Sequence, residues 1–214
     1  MRFWKVQAIG NDFPLIRLED ADTAELPALA IAMADRRYTF AIRHLERTVA
    51  VSIDGARVAT VLGKASYVPA DVPHTASGEL FDTEIVPGHR GSALTTGSTH
   101  TILWMEELPL SPAFEMESEA LENDLRFPLR TSVIWTRQDD EDAISIRIWE
   151  RGVGETLGCG SGSTAAAADL MRRRGRGGRI EVRNRGGSVS VSAESWDAPL
   201  TIEGTAETVY SGLF

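Results

Sequence analysis

The chemistry available to this chain centres on one thiol. Its single cysteine, Cys159, lies in residues 150–165, which also hold Glu150, Glu155, Arg151 and five glycines. Few purely structural loops need so many glycines, because glycine is entropically costly and is kept where positive φ or close backbone approach is required. A helix beginning near Ser163 or Thr164 would aim its unpaired N–H groups and positive dipole end at Cys159 and Ser161. That placement is expected to lower the thiol pKa and to hold a carboxylate. A thiolate beside a bound carboxylate suits removal of a proton from the adjacent carbon, with the helix N–H groups stabilising the charge that develops on oxygen. Such chemistry needs no cofactor. The same residues also fit a buried cysteine packed as a small hydrophobe above a tight loop, and both readings stay open at this level.

Two other glycine-dependent chemistries fit less well. Gly160-x-Gly162-x-x-Ala165 with Glu181 downstream has the outline of a dinucleotide fingerprint, but ten residues separate the strand end at Trp149 from Gly160, where the fingerprint needs its turn directly after the strand. A nucleophile elbow needs glycines two residues to either side of the nucleophile, and here those positions are Leu157 and Ser161.

Stepping outward along the chain, β-branched and aromatic runs predict strands at residues 3–9, 48–53, 57–62, 99–105, 132–136, 144–149, 179–183 and 188–192. Asp54-Gly55 and Gly186-Gly187 read as hairpin turns. Apolar residues at helical spacing predict helices over residues 26–37 and 163–174, and the acidic, proline-containing segment 105–125 reads as irregular or weakly helical. Strand-rich halves with one helix each indicate an α+β protein with two similar lobes.

The 214 residues carry 22 Lys+Arg against 31 Asp+Glu, a formal net charge of −9, which argues against nucleic acid as a partner. The basic run at residues 172–179 is then simplest as a helix C-terminus with its cap, and Asp139-Asp140-Glu141-Asp142 as a solvated hairpin tip. Trp4, Trp104, Trp135 and Trp149 fall in predicted strands and read as core. One cysteine allows no internal disulfide, and His44, His74, His89 and His100 show no metal-ligand spacing, so no metal is expected. The first residues lack the features of a secretory leader and the longest apolar stretch, residues 26–34, is too short to span a bilayer, so no membrane contact and a cytoplasmic location are expected.

The run Arg147-Ile148-Trp149-Glu150-Arg151-Gly152-Val153-Gly154-Glu155-Thr156-Leu157-Gly158-Cys159-Gly160-Ser161-Gly162 resembles the second active-site motif of the diaminopimelate epimerases, cofactor-independent isomerases that use two cysteines. Ala8-Ile9-Gly10-Asn11-Asp12-Phe13 is similar to the family's N-terminal substrate loop, and Thr96-Gly97-Ser98-Thr99-His100 stands where the family has Gly-Asn-Pro-His. Residues 185–189 and 200–210 look like its closing hairpin and final strands. The resemblance covers residues 1–20 and most of 45–214.

What it implies is an α+β fold of two pseudo-symmetric lobes, each a curled, mostly antiparallel sheet around a central helix. The first lobe would be reduced to residues 1–88, the second would span 89–204, and residues 205–214 would return to the first. Cys159 would be the acid/base of the second lobe, with Glu150 and His100 completing the catalytic set. Glu150 and Arg151 would hold the substrate's amino and carboxylate groups, Gly160 and Ser161 would offer carboxylate-binding N–H groups, and Asn11, Ser98 and Ser132 would line the ligand. The partner would be a small amino acid or an analogue, in the lysine and peptidoglycan precursor route, with no cofactor.

The chain also departs from the family pattern. It has no Cys-Gly-Asn-Gly motif and no second cysteine, and after Arg36 it lacks a segment of about 60 residues. Ser98 and Ser132 stand where the family has asparagines. Two-base epimerisation therefore lacks its partner thiol. The remaining readings are another acid/base on the first-lobe side, single-base chemistry, or a noncatalytic ligand-binding or regulatory relative. Apolar surface left bare by a shortened first lobe predicts a homodimer.

Overall fold

A computed structural model of the chain describes residues 2–16 and 51–213, so the helix expected over residues 26–37 lies outside the described residues. The elements are β1 (Arg2–Ala8), β2 (Asn11–Ile16), β3 (Val51–Asp54), β4 (Arg57–Val61), β5 (Thr83–Val86), β6 (His89–Thr95), β7 (Thr99–Trp104), α1 (Ala113–Glu122), β8 (Ser132–Asp140), β9 (Ala143–Glu150), β10 (Gly154–Thr156), α2 (Gly160–Arg174), β11 (Gly178–Asn184), β12 (Gly187–Ala193), β13 (Thr201–Thr205) and β14 (Glu207–Leu213). The mixed α+β class is as the sequence led us to expect.

One large sheet runs β3-β4-β13-β12-β11-β9-β8-β7-β6-β5 with β10 on β9, and a small sheet runs β14-β1-β2. Within these orders β7–β8 and β9–β11 are parallel. Each parallel pair needs a crossover, and α1 and α2 supply the two.

Helix α2 touches β6, β7, β8, β9, β11, β12 and β13, seven strands that are contiguous in the sheet. Laid flat they would span roughly 30 Å, about three times a helix diameter. The sheet must therefore curl around the helix. Ala165, Ala166, Ala167 and Ala168 are all buried, and these small side chains let strands close on every side of the helix.

Pleating divides the strand residues between two cores. Leu94, Ile102, Ile134 and Ile148 face α2, whereas Ala93, Leu103, Val133 and Trp135 face α1 with Phe114 and Leu121. The central strands are apolar on both faces because both faces are covered.

Several local expectations are corrected. Helix α2 begins at Gly160 and not near Ser163, because the Cys159 sulfur accepts the Gly162 N–H and caps the first turn three residues early. The acidic segment contains a regular ten-residue helix, α1, whose Phe114 and Leu121 are buried against the sheet. Strands β2, β5, β6 and β10 were not foreseen. The β8–β9 acidic tip is exposed at Asp140, Glu141 and Asp142, as expected of a solvated hairpin tip, and it also carries ion pairs: Asp142 and Glu141 pair with Arg174 and Arg176, and Asp139 pairs with Arg137 and Arg183. Arg174 and Arg176 of the basic run thus meet the acidic one, while Gly175 ends α2 in the left-handed conformation expected of its cap.

Candidate active site

The polar residues of interest lie where the apolar rows of the curled sheet end. His100, Ser132 and Glu150 stand two positions beyond Ile102, Ile134 and Ile148, so the pleat turns all three to the α2 face. His100 is paired directly with Ser132 in the parallel β7–β8 register. The N-terminus of α2 opens at this same rim, with Cys159 as its extended N-cap residue.

From Cys159 a continuous set of contacts runs inward. Its Sγ is 3.4 Å from Ser161 Oγ, which is 3.3 Å from His100 Nε2. His100 Nδ1 lies 2.9 Å from the Ser98 carbonyl oxygen, an acceptor, so Nδ1 carries the proton and Nε2 accepts from Ser161. The direction of every bond follows: thiol to Ser161 hydroxyl, hydroxyl to His100, His100 to Ser98.

His100 is buried, and burial above all, with Arg151 adding to it, lowers its pKa to about 4. The imidazole is neutral at pH 7. Because the folded pKa lies below the ordinary 6.5, its neutral form supports the fold above pH 6.5, and that support is lost as pH falls toward 4. The loss should reach about 3 kcal/mol. Urea midpoints recorded from pH 7 to pH 4 should fall accordingly, with much of the fall absent in His100→Gln.

The thiol pKa runs opposite to the expectation. Ser161 and the N–H groups at the start of α2 do pull it down, but burial, followed by the Glu150 carboxylate, outweighs them and raises it from 9.0 to about 11. Periodicity reveals a helix N-terminus, whereas the competing desolvation comes from the surrounding curl of strands. Alkylation by iodoacetamide should accordingly keep accelerating about tenfold per pH unit above pH 9. A plateau by pH 8.5 would contradict a protonated resting thiol.

The remaining site residues close the rim. Asn11 Nδ2 donates to the Gly158 carbonyl, and Asn184 Oδ1 accepts from the Cys159 N–H at 3.4 Å and from Ser163 Oγ at 3.2 Å. The β1–β2 turn at Ile9-Gly10 sits directly on this loop. A Cβ on Gly186 would lie 2.2 Å from the Ile9 carbonyl oxygen, so only glycine allows the turns to meet. Arg151 donates its backbone N–H to Ser132 Oγ at 3.1 Å and its guanidinium to the Leu129 carbonyl at 2.8 Å. Glu150 accepts from Thr156 Oγ1 at 2.6 Å and, among the described residues, forms no ion pair, whereas Glu122 and Glu155 nearby are held by arginines.

All nine residues singled out from the sequence therefore fall on one connected rim, although Ser98 enters through its carbonyl. Asn184 and Glu122 were missed. Tyr38 and His44, which could supply an acid/base opposite Cys159, lie outside the described residues, and Asp71 accepts from Ser66 Oγ at 2.6 Å. Among the described residues no group of three could hold a metal, and no helix is long and apolar enough to cross a membrane.

A profile of the Diaminopimelate epimerase family matches residues 92–209, which takes in β7, the Cys159 loop, α2 and the closing strands. The chain belongs to the diaminopimelate epimerase family. It is 29% identical to the diaminopimelate epimerase of Herminiimonas arsenicoxydans over 97% of this chain and 81% of that protein. It is 36% identical to that of Chelativorans over 72% of this chain, but only 55% of that protein. Solved structures of a Bacillus anthracis phenazine biosynthesis protein of the PhzF family and of a Pseudomonas aeruginosa protein described as a predicted epimerase share the fold. Their TM-scores are 0.62 and 0.61 at 13% and 17% identity, covering 99% and 100% of this chain and 98% of each of theirs. The family match itself is confined to residues 92–209, and the aligned part of the chain spans 81% of the Herminiimonas relative and 55% of the Chelativorans one.

Proposed function

We propose that this protein is an epimerase-like isomerase of the cytoplasm that binds a zwitterionic α-amino acid, diaminopimelate being the first candidate, and exchanges its α-hydrogen through Cys159. The observation that carries this reading is the Glu150 carboxylate, bonded to Thr156 but without an ion pair among the described residues, on the same rim as Cys159, Arg151 and the α2 N-terminus. A ligand ammonium set against Glu150 would offset the negative charge that helps keep the thiol protonated. The α-carboxylate would be met by Arg151 and the N–H groups of Gly160 and Ser161.

In this arrangement Cys159, once its own proton has passed to solvent, takes the α-proton as a thiolate, and the electron pair left on carbon delocalises into the carboxylate, whose oxygens face the helix N–H groups. Returning a solvent-equilibrated proton from the same sulfur gives exchange with retention. Inversion requires a second donor on the opposite face.

Proton NMR in D2O should show loss of the α-hydrogen signal of LL- or meso-diaminopimelate, faster than any change of configuration. Absence of both exchange and binding across diaminopimelate and a panel of amino acids would sink the reading. Binding without exchange would favour a noncatalytic ligand-binding role, to which the single cysteine of this chain lends support.

A further inference from the structure

We infer that Glu122, the last residue of α1, is the positioning residue that aims the Glu150–Arg151 pair at a bound amino acid, an inference that rests on the function proposed above. Helix α1 lies on the far face of the sheet from α2, and its Glu122 side chain is only 6% exposed. The carboxylate accepts the Trp149 indole N–H at 2.7 Å, the Gly152 backbone N–H at 2.7 Å and the Arg130 guanidinium at 2.8 Å.

Residues 149 and 152 bracket the two proposed ligand contacts, and one carboxylate holds both. Trp149 packs into the core on the α1 side, so gripping it from that face turns Glu150 to the opposite face, toward the rim. Gly152, at φ +77°, forms the turn after Arg151, and its N–H fixes where that turn begins. The Arg151 N–H is already bound to Ser132, so backbone anchors lie on both sides of its guanidinium. Charge-assisted bonds to a buried carboxylate are short and directional, which suits it to fixing geometry.

Glu122→Gln keeps the shape but turns one acceptor into a donor that faces a donor. Calorimetry with meso-diaminopimelate should show binding weakened about 10- to 100-fold, with KM raised in step. The exchange rate at saturating ligand, set by Cys159, should change by less than about threefold. Trp149→Phe removes one arm and leaves the carboxylate, so it should weaken binding by about three- to tenfold. A purely structural role would lower the melting temperature of both variants and leave affinity and KM unmoved.

Wild-type affinity in Glu122→Gln, or a lost rate at unchanged KM, overturns the inference while the proposed function stands. Should Glu122→Gln fail to fold, Trp149→Phe decides, and unchanged affinity there also overturns it. A wild-type protein that neither binds nor exchanges diaminopimelate or other amino acids overturns the functional reading, and this inference falls with it.

Discussion

Cys159→Ser should reduce α-hydrogen exchange by about 10²- to 10⁴-fold, the span over which a positioned acid or base contributes to a proton transfer. The substitution is small and the local scaffold can carry it. A serine oxygen can accept the Gly162 N–H and donate to Ser161, so the cap of α2 and the contacts to His100 should survive. What is lost is acidity: even a thiol raised to about 11 is a far stronger acid than an alcohol. Ligand affinity should therefore stay within a few-fold of wild type while exchange disappears. Exchange persisting at the wild-type rate would place the base elsewhere.

The largest loss of stability is expected from Asp169→Ala. Asp169 is fully buried in the middle of α2, where its Oδ2 accepts the Trp104 indole N–H at 2.6 Å and the Arg173 Nε–H at 2.8 Å. Tyr67 lies close enough that, after burial, the charge of Asp169 is the main influence holding its phenol protonated. Removing the carboxylate strands a buried indole N–H and leaves Arg173 short of a partner. Severing such a pair costs about 3–5 kcal/mol in general. Arg173 retains Asp82 at 3.1 Å, which places the expected cost near the lower bound, about 3 kcal/mol. For a chain of this length the melting temperature should fall by about 10 °C. Because the pair is buried, added salt should restore little of it, and a shift of under about 2 °C would show that Asp169 is not a keystone of the helix.

The parts of the fold legible in the sequence are those whose local chemistry agrees with their final environment. The β-branched strands around α2 and the alanine-rich helix itself announce themselves. Strand β6, His89-Arg90-Gly91-Ser92-Ala93-Leu94-Thr95, has little β propensity and owes its form to pairing with β5 and β7. Strand β2 contains Pro14, which reads as a breaker, yet β2 is a flank of its three-stranded sheet, where a missing N–H is tolerated.

The site divides in the same way. Glycines around a thiol, with acid and arginine nearby, mark the Cys159 loop from composition alone. Glu122 could not be found, because an acidic residue in an acidic helix looks like solvated surface until the helix is docked. The thiol's acidity was misread for a related cause: the dipole that lowers it is local, whereas burial is supplied by strands scattered through the chain.

The Ile9-Gly10 turn, which abuts the Cys159 loop, belongs to a sheet whose central strand β1 is flanked by β14, with Arg2 opposite Leu213. A ribosome releases β1 before every other element of the site and β14 after all of them. The turn's sheet therefore cannot be completed while the site is being synthesised, and the pairing of β1 with β14 cannot precede the synthesis of α2 and the strands around it. A free chain ending at Thr205 should still form the curled sheet around α2 and yet leave the Cys159 loop open on one side.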